Sequence, residues 1–143
     1  MKERKLAAAP EYSALACALI EDGGRVLFLK RKEGERELLE LPCVLVGKGR
    51  NPVSELKEVV LAQAGIDAQV HEPVMEGRHN VGSRKRKKWI PALGFRISAK
   101  NMSAKVGAGF SGVKWISLED AKKEKLGKKA EWLRASSSSQ AGK

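Results

Sequence analysis

Cysteine, histidine and aromatic side chains are all scarce in this 143-residue chain, and each scarcity excludes something. The two cysteines, Cys17 and Cys43, lie 26 residues apart with no CxxC pair, which offers neither a zinc site nor a disulfide framework. They are expected as reduced thiols, buried or half-buried. The two histidines, His71 and His79, fall in different predicted elements with no acidic cluster beside them. No metal site, Ser/His/Asp arrangement or cofactor motif is recognisable. Long apolar runs are missing too: "ALACALI" at 14–20 is too short to cross a bilayer, so no membrane contact is expected. The opening "MKERKLAAAP" lacks the apolar core of a signal peptide, and its Glu3 fits an organellar transit peptide poorly. The expected location is cytoplasmic.

Acidic residues are scarce in one half only. Residues 1–83 carry 12 Lys/Arg against 13 Asp/Glu, a net of −1, whereas residues 84–143 carry 16 against 4, a net of +12. A near-neutral half joined to a cationic half implies a polyanionic partner. The composition is otherwise 42% apolar and 31% charged, the balance of a globular chain able to bury a core. A single domain over 1–135 is expected, followed by a flexible, low-complexity tail, "SSSSQAGK", over 136–143.

Two β-type runs, 12–21 and 25–31, flank Asp22-Gly23-Gly24, a hairpin signal because glycine reaches positive φ without steric cost. "EGERELLELP" reads as a charged connector ending at Pro42, "CVLV" as a short strand and "GKGRN" as a loop. Asn51 is a good N-cap and Pro52 a favoured first residue for a helix over about 52–64. Val53, Leu56, Val59 and Val60 supply its apolar face, and Gly65 ends it. "DAQVHEPVME", "KKWIPALGFRISA" and "GVKWIS" read as strands, with "GRHNVGSRKRK" as a basic loop between the first two. Ser117 is placed to cap a helix at "LEDAKKEK", with Asp120 completing a capping box. A short helix at about 127–135 follows. This order belongs to the α/β class, a mixed sheet with helices packed on it.

"GAGFSG" at 107–112 matches G-x-G-x-x-G, the pattern that brings phosphates to a helix N-terminus. A β-type run follows it rather than a helix, so it reads as a flexible glycine loop. The segment "ELPCVLVGKGRNPVSELKEVVLAQAGI" (40–66) resembles the Nudix box, G-x5-E-x7-R-E-U-x-E-E-x-G-U with U a bulky aliphatic residue, and its lead-in. Setting the final glycine on Gly65 and the last aliphatic on Ile66 needs no gaps. It also puts Leu41-Pro42 and Pro52 where the family often has them. "GRVLFLKRK" and "GVKWISLEDAKK" resemble the family's second strand and its late strand-to-helix segment. The resemblance spans residues 12–125 and implies a Nudix-like α/β/α sandwich with a mixed β-sheet.

In that family the helix glutamates hold magnesium or manganese, which polarises a pyrophosphate and activates water. In this chain their positions fall on Val59, Ala62 and Gln63. The box's earlier glutamate falls on Arg50, its arginine on Glu58 and its opening glycine on Val44. Residues 55, 59, 62 and 63 share one helical stripe, on which Glu55 is the only carboxylate. Glu58 points about 100° away from Val59. Read with these departures, the resemblance implies a degenerate scaffold with no metal, no cofactor, no catalytic residue and no small-molecule substrate.

Binding is then expected on the cationic half. Arg84, Lys85, Arg86, Lys87 and Lys88 offer phosphate contacts, and Trp89 either stacks on a base or begins the core of the next strand. A second basic set comprises Lys122, Lys123, Lys125, Lys128, Lys129 and Arg134; Lys30, Arg31, Lys32, Lys48 and Arg50 form a third. Spread charge with few exposed aromatics fits recognition of an RNA backbone. The expected function is that of a non-catalytic RNA-binding protein, a ribosome- or ribonucleoprotein-associated component whose partners are rRNA and ribosomal proteins. Two alternatives stand beside it. One is a divergent Nudix hydrolase that cleaves nucleoside-diphosphate-linked substrates with magnesium or manganese, drawing on Glu55 or Glu58. The other is a sensor that binds a nucleotide without cleaving it.

Overall fold

The computed structural model describes residues 11–138. β1 (Tyr12–Asp22) and β2 (Arg25–Glu33) meet at the expected hairpin, with Glu21 opposite Val26 and Asp22 opposite Arg25. Gly23 and Gly24 turn the chain at φ of 63° and 81°, a region that side-chain-bearing residues enter at a steric cost. β4 (Cys43–Gly47) lies antiparallel to β1, and β6 (Trp89–Ser98) lies parallel to it. β5 (Gln69–Asn80) pairs antiparallel with β6, and the two-residue β8 (Ser137–Ser138) adds to β5 at Met75 and Glu76. β2 carries β3 (Arg36–Glu40) and β7 (Gly112–Ile116) antiparallel on its two edges. The sheet is therefore mixed, with β1 at its centre.

Side chains of β1 alternate between two cores, as the period of a strand requires. Leu15, Cys17 and Leu19 enter one with Ala121 of α2 (Leu118–Ala121) and with Ala130, Trp132 and Leu133 of a 3-10 helix, Lys128–Ala135. Ala16, Ala18 and Ile20 enter the other with Leu56, Val60 and Ala64 of α1 (Pro52–Ala64). Helices thus cover both faces, giving the expected α/β/α sandwich. Burying Leu56 and Val60 stabilises the α1 side by roughly 1.5–3 kcal/mol each.

α1 forms where its local signals place it. Asn51 Oδ1 accepts from the Val53 and Ser54 amides at 2.8 and 3.4 Å, and Gly65 closes the helix at φ 68°, its N–H donating to the Leu61 carbonyl. Its buried residues are Leu56, Val60 and Ala64. Val53, expected on the apolar face, sits in the first turn and is 40% exposed.

The stretch "EGERELLELP" is not a connector. Gly34 turns the chain at φ 66° and β3 returns along β2, burying Leu38 and Leu39. All its charged residues but Glu40 stand at or beside the hairpin tip, where Arg36 and Glu33 pair at 2.8 Å, and they disguise the strand. Ser117 Oγ does cap α2 through the Asp120 amide at 3.1 Å, but the helix stops at Ala121. "GAGFSG" precedes β7 and has no helix behind it. Part of the expected tail, Ser137–Ser138, is paired with β5; residues 139–143 lie outside the described residues, as do the first ten. Among the described residues no helix is long and apolar enough to cross a membrane.

Candidate functional site

The α1 stripe of Glu55, Val59, Ala62 and Gln63 is engaged within the protein. Arg50 Nη2 donates to Glu55 Oε2 at 2.7 Å. Val59 packs against the α1-side core. Gln63 Oε1 accepts from the Cys43 amide at 3.3 Å, tying the helix to β4. The loop before β7 closes over the end of α1: the Lys105 and Gly107 amides donate to the Ala64 and Gln63 carbonyls at 2.8 and 3.0 Å. Gly107 lies so close that a Cβ there would stand 2.2 Å from the Ala62 carbonyl oxygen. Glu58 is exposed and off the stripe. A divalent cation needs several converging oxygen ligands. This stripe offers one carboxylate, already paired, and among the described residues no three His, Cys, Asp or Glu side chains gather to hold a metal. The residues present do not fit the family's cation.

Beyond Gln63 an open cavity of about 510 Å³ lies between α1, the sheet and the 3-10 helix. Glu40, at the end of β3, is 8% exposed there. Arg31 on β2 donates to Glu40 Oε2 from Nε at 3.0 Å and from Nη2 as well. That bond and the Glu40 charge hold the Arg31 guanidinium above its usual range. Oε1 of Glu40 has no partner among the described residues. Lys128 and Lys129 enter from the 3-10 helix, Tyr12 and Phe110 supply rings, and His79 and Asn80 close the β5 side. His79 is 6% exposed. Burial first, and then the positive charges of Lys128 and Lys129, push its imidazole below its ordinary value, so it is neutral at pH 7.

Sequence reasoning missed this wall. The sequence pattern places Glu40 in a connector, leaves His79 alone and assigns Lys128 and Lys129 only to an RNA backbone. A signal was present in Gly34, which turns the chain between two β-type runs and returns Glu40 to Arg31.

The basic residues expected to bind RNA differ in their surroundings. Arg84–Lys88 occupy the exposed β5–β6 loop, where Asn80 Oδ1 accepts from the Gly82 and Lys88 amides and Ser83 Oγ from the Arg86 amide, each at 2.8 Å. Lys48 lies 3.4 Å from Glu11, Arg50 pairs with Glu55, and Lys122 and Lys123 are each 3.9 Å from Glu119 and Asp120. Lys125 precedes the 3-10 helix, and its carbonyl accepts from the Leu39 amide at 2.9 Å. Trp89 does not begin a core: it is 47% exposed, with the Arg78 guanidinium 4.8 Å from its ring centre.

No protein-family model and no curated protein matches the sequence. Solved structures do match the fold. A MutT protein from Methanosarcina mazei Go1 superposes with a TM-score of 0.66 at 21% identity, over 90% of this chain and 95% of that one. The NUDIX domain of Shewanella oneidensis NrtR, complexed with ADP ribose, gives 0.58 at 15% identity over 94% and 88%. The fold is Nudix-like. An ADP-ribose pyrophosphatase from Streptococcus suis 89-1591 shares this Nudix-like fold, with a TM-score of 0.62 at 14% identity over 85% and 84%. These likenesses correct the expected function. The proteins they name are a MutT protein, an ADP-ribose pyrophosphatase and a domain complexed with ADP ribose, and they lend no support to an RNA-binding, ribosome-associated component. The physical reason is that charge was counted along the chain, whereas six of the sixteen basic residues in the three basic sets, Arg31, Lys48, Arg50, Lys122, Lys123 and Arg134, are paired with the chain's own carboxylates.

Proposed function

We propose that the protein is a divergent Nudix-type hydrolase of nucleoside-diphosphate-linked compounds, which it takes into the cavity lined by Glu40, Lys128 and Lys129. The observation that carries this reading is the convergence of complementary groups in that cavity. Two lysines without carboxylate partners among the described residues face a buried carboxylate with one free oxygen, with two aromatic rings beside them. The lysines neutralise a diphosphate as point charges. Tyr12 or Phe110 offers a face to a base. Arg31 fixes Glu40 through Oε2, which leaves Oε1 to order a water and take its proton as that water attacks one phosphorus, the bridging P–O bond breaks and the other phosphate leaves. Neutral His79 donates or accepts one hydrogen bond beside them without adding charge. The fold supports the reading, because its solved relatives include a pyrophosphatase and an ADP-ribose-bound domain.

The test is incubation with ADP-ribose, a nucleoside-diphosphate sugar and nucleoside triphosphates, with magnesium or manganese, followed by chromatography of the products. Nucleoside monophosphate release that fails in Glu40→Gln is the expected result. Release that survives in Glu40→Gln but vanishes in a Glu55→Gln, Glu58→Gln double variant would move the chemistry back to α1.

The α1 stripe favours a second reading, in which the same cavity binds such a compound without cleaving it. The box is degenerate in this reading, since Val59, Ala62 and Gln63 stand where the family's metal ligands belong. Saturable binding of ADP-ribose with no product after prolonged incubation selects this reading over the first.

A further inference from the structure

We propose that Cys17 and Cys43 are a redox-modification site, closing as a cross-strand disulfide when hydrogen peroxide enters the cavity. The two residues stand directly opposite one another in the antiparallel β1–β4 pair, and both are free thiols. The Ala18 amide donates to the Pro42 carbonyl at 2.8 Å, while the Cys43 amide turns away to Gln63 Oε1. This is the pattern of a non-hydrogen-bonded pair, whose Cα atoms lie about 4.5 Å apart with side chains close. A disulfide needs a Cα separation of about 4.4–6.8 Å. Both side chains enter the same core, against Trp132 and Leu133.

Access orders the steps. Cys43 borders the cavity, whereas Cys17 is fully buried behind it. Burial, and then the neighbouring Cys43, push the Cys17 thiol well above its ordinary range, so Cys17 is the second sulfur to react. The Trp132 indole N–H and the charge of Lys129 act in the opposite direction, easing proton loss once a target sulfur is at hand. Cys43 gives up its proton as its sulfur attacks a peroxide oxygen, the O–O bond breaks, and the departing hydroxide takes up that proton to become water. Cys17 sulfur then attacks the Cys43 sulfenic acid, the S–O bond breaks, and hydroxide leaves with the Cys17 proton as a second water. Two thiols lose two electrons and peroxide gains them. Since Cys43 and Gln63 share the cavity wall, closure also alters the ligand site, a consequence that rests on the reading proposed above.

The test treats the folded protein with hydrogen peroxide, blocks free thiols with iodoacetamide, and reads intact mass and peptides. It needs no ligand, so it stands or falls apart from the hydrolase reading. The expected wild-type product has lost two hydrogens, takes up no iodoacetamide after unfolding, yields a linked Cys17–Cys43 peptide, and reverts with dithiothreitol. Cys17→Ser, or Cys17→Ala if the serine disturbs the core, should instead gain oxygen at Cys43. Wild-type protein that gains oxygen at Cys43, or still takes two iodoacetamides, with no linked peptide overturns the proposal.

Discussion

The α1 stripe and the strand wall across the cavity from it treat polar groups in opposite ways. On the stripe, Glu55 is paired with Arg50, Gln63 with the Cys43 amide, and Val59 belongs to the core. On the wall, Glu40 keeps one oxygen free and Lys128 and Lys129 have no carboxylate among the described residues. Polar groups that are satisfied inside a protein serve its fold. Those left unsatisfied beside a cavity are available to a ligand. Two regions within one Nudix-like fold therefore differ: on one the polar groups are engaged by the chain itself, on the other charge is left beside the cavity.

The comparison breaks most sharply at Glu40. Glu40→Gln should lower turnover of the preferred nucleotide by about 10²- to 10⁴-fold, the usual contribution of a general base. Glu55→Gln should change it by less than about fivefold, because removing a surface ion pair is worth roughly 0–1 kcal/mol. Initial rates on both variants check this, with thermal melts to confirm that Arg31 has not unfolded the site. The stripe's scaffold role gives the next effect: Leu56→Ala should cost about 2–5 kcal/mol in urea unfolding while leaving the cavity's lysines in place. Smaller again is Asn51→Ala, which removes the α1 cap and should cost about 1 kcal/mol in the same experiment.

The smallest effect is one of pH. His79 has its folded pKa lowered from the ordinary 6.5, so below that pH the unfolded chain binds more protons than the native one. Its contribution is fully present above pH 6.5 and is lost as pH falls through the folded value. Melting temperature should decline below this point, and His79→Gln should flatten the decline.

Legibility followed locality. The ends of α1 could be read because Asn51, Pro52 and Gly65 act within one turn of the residues they control. The β1–β2 hairpin was equally local. β3 was obscured although its hairpin with β2 is local, because the residues around Leu38 and Leu39 are charged and Leu39 also bonds a distant segment, Lys125 and Gly127, before the 3-10 helix. The uncharged stripe could be read on α1 alone. Its counterpart could not: Arg31, Glu40, His79 and Lys128 come from β2, β3, β5 and the 3-10 helix, and only the folded sheet brings them to one cavity. Counting cations along the sequence also could not show which ones Glu11, Glu55, Glu119 and Asp120 already neutralise.

Calorimetric titration with ADP-ribose tests the division of roles most directly, using wild type, a Lys128→Ala, Lys129→Ala double variant and the Glu55→Gln, Glu58→Gln double variant. The account predicts that the lysine variant binds at least about tenfold more weakly, the loss expected when charge-assisted contacts to phosphate are removed. The glutamate variant should bind like wild type. Unchanged affinity in the lysine variant, with binding lost in the glutamate variant, would contradict the account and return the ligand to the α1 stripe.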